Sequence, residues 1–159
     1  MKKILLLAIG FLMTMTASAQ FEQGKYYCNG SLTGINLSYS GAEKLSLGVE
    51  AKGGYLVADN WMALVMAGYS HDEDEDDKFA VGVGGRYYII QNGLYMGLNA
   101  RLVHGGSGYN DIMPGLELGY AFFLGKSVTI EPSVYYDQSI KNHSDYSKVG
   151  LRIGVGVYL

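Results

Sequence analysis

The residue types that could carry covalent chemistry fall in two short clusters, Ser70-His71-Asp72 and His143-Ser144-Asp145. Hydrolysis or acyl transfer needs a nucleophile or activated water, a base and an orienting acid within hydrogen-bond reach of one another. Neighbouring residues on a strand project to opposite faces, so an adjacent Ser and His cannot meet there as nucleophile and base. Both clusters lie at the edges of turn-rich stretches, where short polar residues serve the turn itself. The acidic run Asp72-Glu73-Asp74-Glu75-Asp76-Asp77 invites a calcium loop, but it lacks the mid-loop glycine and the terminal glutamate at the required spacing. It reads as a solvated loop. No catalytic residue, no cofactor and no metal site is expected.

The ends and the composition bound the elements that could position any site. Lys2 and Lys3 precede an apolar stretch over 4–13, too short to span a bilayer as a mature helix, and Ala17-Ser18-Ala19 follows with a small-x-small cleavage pattern. Segment 1–19 is expected to be a secretory signal peptide, leaving one domain over 20–159. Cys28 is the only cysteine, so no intramolecular disulfide can staple that domain. It lies well beyond the apolar core of the signal and reads as a free thiol near the start of the first strand. A net charge of −3 without any basic cluster argues against a nucleic-acid partner.

The mature chain has neither helical periodicity nor an apolar run of about 18 residues, which excludes a helical span. Period-2 segments recur instead, and eight strands are expected over 31–40, 44–57, 61–70, 79–89, 94–103, 112–123, 128–138 and 148–159. Each has one apolar face: Ile35-Leu37-Tyr39 on the first, for instance, and Val149-Leu151-Ile153-Val155-Val157-Leu159 on the last. On the third, Trp61-Ala63-Val65-Ala67-Tyr69 competes with Met62, Leu64 and Met66, which make its other face apolar too.

A soluble lipocalin-like barrel would turn the apolar faces inward, and a membrane barrel would turn them outward. The opposite faces decide between these. They carry glycines such as Gly48, Gly54, Gly82, Gly84, Gly115, Gly119, Gly154 and Gly156, interleaved with Glu50, Lys52, Arg86, Asn99, Arg101, Glu117, Glu131, Lys148 and Arg152. Glycine weakens a water-facing strand, so a surface this rich in it does not suit contact with water. The lumen of an eight-stranded barrel is just wide enough for side chains to fill, and small residues leaving room for a few long charged ones suit that space. The expected fold is therefore all-β, an eight-stranded antiparallel up-and-down transmembrane β-barrel with the apolar face outward.

The connections alternate accordingly. Three are short, at 58–60, 90–93 and 124–127, and those between them are mostly longer and polar, at 71–78, 104–111 and 139–147; only Gly41-Ala42-Glu43 is short on that side. With the N-terminus periplasmic, Tyr55, Trp61, Tyr87, Tyr120 and Phe122 fall near the periplasmic strand ends, and Tyr39, Tyr69, Phe79 and Tyr136 near the outer ends. These make two aromatic belts at the levels where such rings favour the lipid–water interface. Pro132 breaks the pattern, because a closed barrel has no edge strand to host it; a local bulge or a missing ladder bond is expected there.

On these residues the chain resembles outer-membrane β-barrel proteins of the OmpA/OmpX type over its whole mature length. Gly54-Tyr55-Leu56-Val57-Ala58-Asp59-Asn60 is similar to the family's first periplasmic hairpin, and Ile130-Glu131-Pro132-Ser133-Val134-Tyr135-Tyr136 to its seventh strand. The alternating final strand resembles the C-terminal signal read by the barrel-assembly machinery, although it ends on Leu159 where the family usually has an aromatic residue. The resemblance implies an integral protein of the bacterial outer membrane, contacts with outer-membrane lipid and lipopolysaccharide, assembly through that machinery, and a monomer. Divalent cations bridging the acidic run to lipopolysaccharide phosphates would fit such a setting. Lipid A deacylases of this architecture place His and Ser two apart and facing the lipid, which neither polar cluster does. A non-enzymatic structural or surface-interaction role is thus expected, with a small porin or a lipid A-modifying enzyme as alternatives. Inside the lumen, Glu50, Glu117 and Glu131 are expected to face Lys52, Arg86, Arg101, Lys148 and Arg152 as a paired network, since an unpaired buried charge is costly. Such a network would plug the barrel.

Overall fold

The computed structural model describes residues 21–37, 47–72, 75–89, 93–105, 110–141 and 147–159, with only the backbone described at 33–37, 47, 71–72, 75–77 and 148. The expected signal peptide, Tyr39, the turn Gly41-Ala42-Glu43 and the cluster His143-Ser144-Asp145 lie outside the described residues, as do the side chains of His71, Asp72 and Lys148.

The strands are β1 (Tyr26–Leu37), β2 (Leu47–Ala58), β3 (Trp61–Asp72), β4 (Glu75–Tyr88), β5 (Leu94–Gly105), β6 (Asn110–Tyr120), β7 (Phe122–Phe123), β8 (Val128–Asp137) and β9 (Lys148–Tyr158). All pairings are antiparallel: β1 through β6 pair in sequence order, β8 pairs β9, and β9 returns to β1. Gly119↔Ser133 and Phe122↔Ile130 continue a single register across Ala121, so β6 and β7 are one strand interrupted once. The sheet closes on itself as an eight-stranded antiparallel up-and-down barrel.

Exposure runs opposite to that of a water-soluble barrel. Leu98, Val65 and Ile153 on the outer wall are 66%, 61% and 61% exposed, whereas Arg86, Arg152 and Glu131 inside are 1%, 2% and 2% exposed. Period-2 alternation produces both faces at once, because successive side chains leave a strand on opposite sides. Two inward glycines illustrate how the interior is made to fit. A Cβ at Gly119 would run into the Tyr95 hydroxyl and Ser133, and one at Gly156 would come within 2.6 Å of both Glu131 Oε1 and Thr129 Oγ1.

Aromatic residues on the outer wall pair across strands. Tyr26 faces Tyr55 and Trp61 faces Tyr87, with ring centroids 5.1 Å and 4.8 Å apart, while within one strand Tyr120 lies 4.4 Å from Phe122. Towards the other rim, Tyr69 faces Phe79. Met62, Leu64 and Met66 point inward and Trp61, Val65 and Tyr69 outward, which resolves the ambiguity of the third strand.

Two expectations about boundaries are corrected. The first strand starts at Tyr26, five residues before the expected position, so Cys28 lies inside it. A register shift between Thr33 and Ile35 separates an outward set at Tyr26, Cys28 and Leu32 from the odd-numbered positions on which the sequence reading was based. The polar stretch 71–78 is not a long loop: β3 and β4 stay paired as far as Asp72 and Glu75. Charged residues beyond the apolar band can stay extended and laddered, and acidity alone does not mark a loop.

The chain has two prolines, Pro114 and Pro132, and both lie in strands. The interruption at Ala121 falls opposite Glu131 and Pro132, where the amide of Ala121 turns away to Gly93 O at 2.8 Å. Without an N–H, proline leaves a gap in one ladder while its other neighbour is unaffected; accordingly, Pro132 keeps its place opposite Ile153 on β9.

Candidate functional site

The inside of the barrel is built in levels. At the short-turn end, the segment before β1 folds under the mouth. Gly24 N donates to Leu56 O, Gln23 N to Asp59 Oδ1 and Asn60 N to Phe21 O, each at 2.9 Å. Asn60 has φ +65°, a left-handed conformation that asparagine tolerates, and its carbonyl accepts from Tyr88 N. This turn delivers Phe21, fully buried, onto Tyr88 with ring centroids 3.8 Å apart and nearly parallel planes. Phe123 and Tyr158 pack edge-on to Phe21, and Leu56, Met62 and Tyr95 belong to the same cluster.

Above that stopper the tyrosine hydroxyls converge on one carboxylate. Glu131 accepts from Tyr27 OH at 2.5 Å, Thr129 Oγ1 at 2.8 Å and Tyr158 OH at 3.1 Å. Arg86 Nη1 reaches the same carboxylate at 2.9 Å, and its Nη2 lies 3.6 Å from Glu117. The Arg86 guanidinium also stacks over Tyr95 at 3.8 Å and stands 5.2 Å from the Tyr27 ring centroid, a desolvated cation–π arrangement.

The middle level joins β2, β6 and β9. Lys52 Nζ lies 2.8 Å from Glu117 and 3.3 Å from Glu50, and Arg152 is 3.4 Å from each of those carboxylates while covering the Tyr135 ring at 4.3 Å. Towards the loop end, Arg101 Nη1 bridges Glu50 and Asp137, 3.2 Å from each.

The structure thus brings Glu50, Lys52, Arg86, Arg101, Glu117, Glu131 and Arg152 into one connected lumen network. Asp137 joins them although sequence reasoning missed it; it shares the inward phase of Glu131, Ser133 and Tyr135, and that phase was the available signal. With Asp137 counted, four carboxylates meet four cations. The inward tyrosines Tyr27, Tyr88, Tyr95 and Tyr158 were missed as well, because tyrosine was read only as a belt residue. Each of these carboxylates lies beside at least one cation of the network. Among the described residues, no group of His, Cys, Asp and Glu could hold a metal ion. Among the described side chains, the histidine with a polar partner is His104, exposed, with its Nδ1 2.6 Å from Asn110 Oδ1 at the rim.

No protein-family model matches this chain, and no curated protein does. Solved structures match along nearly the whole barrel. The N-terminal β-barrel domain of OprF from Pseudomonas aeruginosa aligns at TM-score 0.65 and 13% identity, over 86% of this chain and 98% of that one. The neisserial surface protein NspA aligns at TM-score 0.58 and 17% identity, over 85% and 97%. A de novo designed transmembrane β-barrel aligns at TM-score 0.56 and 15% identity, over 87% and 98%. The chain has the fold of eight-stranded transmembrane β-barrels. At these identities the likeness concerns the fold alone, and a fold does not carry a function with it.

Proposed function

We propose that this chain is an integral, non-enzymatic barrel of the bacterial outer membrane, closed along its lumen, with a role in envelope structure or surface interaction. The observation that carries the reading is the inverted distribution of side chains. An outer wall of exposed Leu, Val and Ile between aromatic rims would be insoluble in water and is what a bilayer accommodates. The charge-balanced network and the Phe21 stopper support a closed lumen, because each charge of the network lies beside an opposite one and Phe21 is packed among three other rings. In this reading the signal peptide delivers the chain to the envelope, and the turns at 59–60 and 124–127 face the periplasm. The opposite rim then meets lipopolysaccharide or a surface partner. Outward Leu151, Ile153 and Val155 on β9 would be read by the barrel-assembly machinery.

A small pore is the second reading, favoured by Arg101. Its side chain is 12% exposed, and its Nε and Nη2 lack hydrogen-bond partners, so it is the least enclosed member of the network. Two measurements test the choice. The outer-membrane fraction run in SDS without and with boiling should give two mobilities, and a soluble periplasmic protein with a single mobility would refute the membrane reading. Planar-bilayer recording of the purified barrel should show no steady current; a persistent conductance scaling with salt would replace the closed barrel by the pore.

A further inference from the structure

Both prolines weaken the same seam. Antiparallel strands bond through alternate residue pairs. Gln138 N donates to Pro114 O and Leu124 N to Val128 O, so in this register the even-numbered residues from 114 to 124 are those that bond towards β8. Tyr120 and Pro132 form one of those pairs. Pro114 therefore cannot donate to Gln138, nor Pro132 to Tyr120. What remains is a run of five ladder pairs from Gly115 to Gly119, plus two at β7, whereas the other edge of β6 forms eleven pairs with β5.

Behind the same seam lie buried polar atoms without hydrogen-bond partners: Ser133 Oγ and Asp137 Oδ1 on β8, and Asn99 Oδ1, Arg101 Nε and Arg101 Nη2 on β5. Asp137 and Asn99 converge over Gly115, where an added Cβ would strike the carboxylate and amide oxygens of both. Buried polar groups are normally satisfied, so such a concentration marks a site that lacks its ligand or does not stay shut. An apolar groove of about 960 Å³ begins at the seam, where Leu118, Tyr120, Pro132 and Val134 line it, and runs on across β9 and β1 to Leu32 and Val49.

We infer that the β6–β8 seam opens sideways and binds a zwitterionic amphiphile, with its apolar tail in the groove and its head between the two strands. Asp137 and Asn99 supply acceptors for an ammonium group, and Arg101 supplies donors for a phosphate or carboxylate. Unused acceptors on Asp137 and Asn99 beside unused donors on Arg101 suit a head that carries both signs of charge. The inference rests on the membrane-barrel reading.

Amide hydrogen exchange of the barrel in phosphatidylglycerol vesicles tests it. The amides of Leu116, Leu118, Val134 and Tyr136 should exchange about tenfold faster than those of Val65 and Val83 in the uninterrupted ladders. Adding lysophosphatidylethanolamine should slow the seam amides selectively, and a fatty alcohol of equal chain length should not. Pro132→Val should slow them without added lipid by restoring a donor. Seam amides exchanging no faster than Val65 and Val83 would overturn the opening. Equal protection by the alcohol would overturn the assignment of the head. A chain that does not enter the vesicles refutes the membrane reading itself, a separate failure.

Discussion

Replacing Arg86 with methionine removes a cation from the most enclosed point of the lumen while roughly preserving its apolar bulk. Arg86 is 1% exposed and pairs with Glu131 at 2.9 Å and Glu117 at 3.6 Å. Breaking a buried pair from one side costs about 3–5 kcal/mol, because the remaining charge loses its compensation. Glu131 keeps its bonds from Tyr27, Thr129 and Tyr158, and Glu117 keeps Lys52 and Arg152, which favours the lower end. The expected loss is therefore about 3 kcal/mol, or on the order of 150-fold in the folding equilibrium. Neutralising the partner should recover much of it: Arg86→Met with Glu131→Gln is expected to lie within about 1 kcal/mol of wild type. Reversible urea unfolding in lipid vesicles measures both, with Trp61, the single tryptophan and half exposed on the outer wall, as the fluorescence reporter. A loss below about 1 kcal/mol for Arg86→Met alone would mean that water reaches this level and screens the charges, as around an exposed pair. The closed lumen would then fall as well.

Phe21→Ala should lower stability by about 3 kcal/mol, as for other fully buried aromatic truncations, and lower the temperature at which the SDS-resistant form is lost; an unchanged transition would mean that the segment before β1 does not seal the mouth. Gly119→Ala places a methyl against the Tyr95 hydroxyl and Ser133 and should cost about 1–3 kcal/mol. Gly30→Ala, where nothing lies within 4 Å, should change stability by no more than about 0.5 kcal/mol. Equal urea midpoints for the two would refute the packing account of the inward glycines. Leu98→Arg on the outer wall should destabilise the bilayer-folded protein by about 2–4 kcal/mol, measured by the same unfolding. A neutral result would place that wall in water.

Much of the fold was legible in the sequence because its signal has period two and repeats eight times. Val, Leu and Ile at alternate positions, with Gly and charge between them, identify an outward and an inward face without any contact being known. Pro132 was legible as a local violation, since a missing donor is a property of the residue itself. Tyr27 was not legible: it precedes the expected strand start at residue 31, and a register shift near residue 34 exchanges the faces relative to Ile35, Leu37 and Tyr39, from which the apolar face was taken. The pairing of Asp72 with Glu75 was hidden by the acidity of the stretch, which suits a solvated loop and an extended ladder equally well.

The sequence by itself determined which side chains are enclosed wherever a strand runs without a register shift, because face follows from parity along each strand and parity needs no partner. Only the tertiary structure decided who meets whom inside. Arg86 finds Glu131 forty-five residues away, and Lys52 finds Glu117 sixty-five away, because closure and stagger of the barrel bring those strands to one height across the lumen. The same closure set β6 against β8, so that two prolines eighteen residues apart fell on one ladder. Parity is local and can be read from the chain; height across a closed barrel depends on all eight strands together.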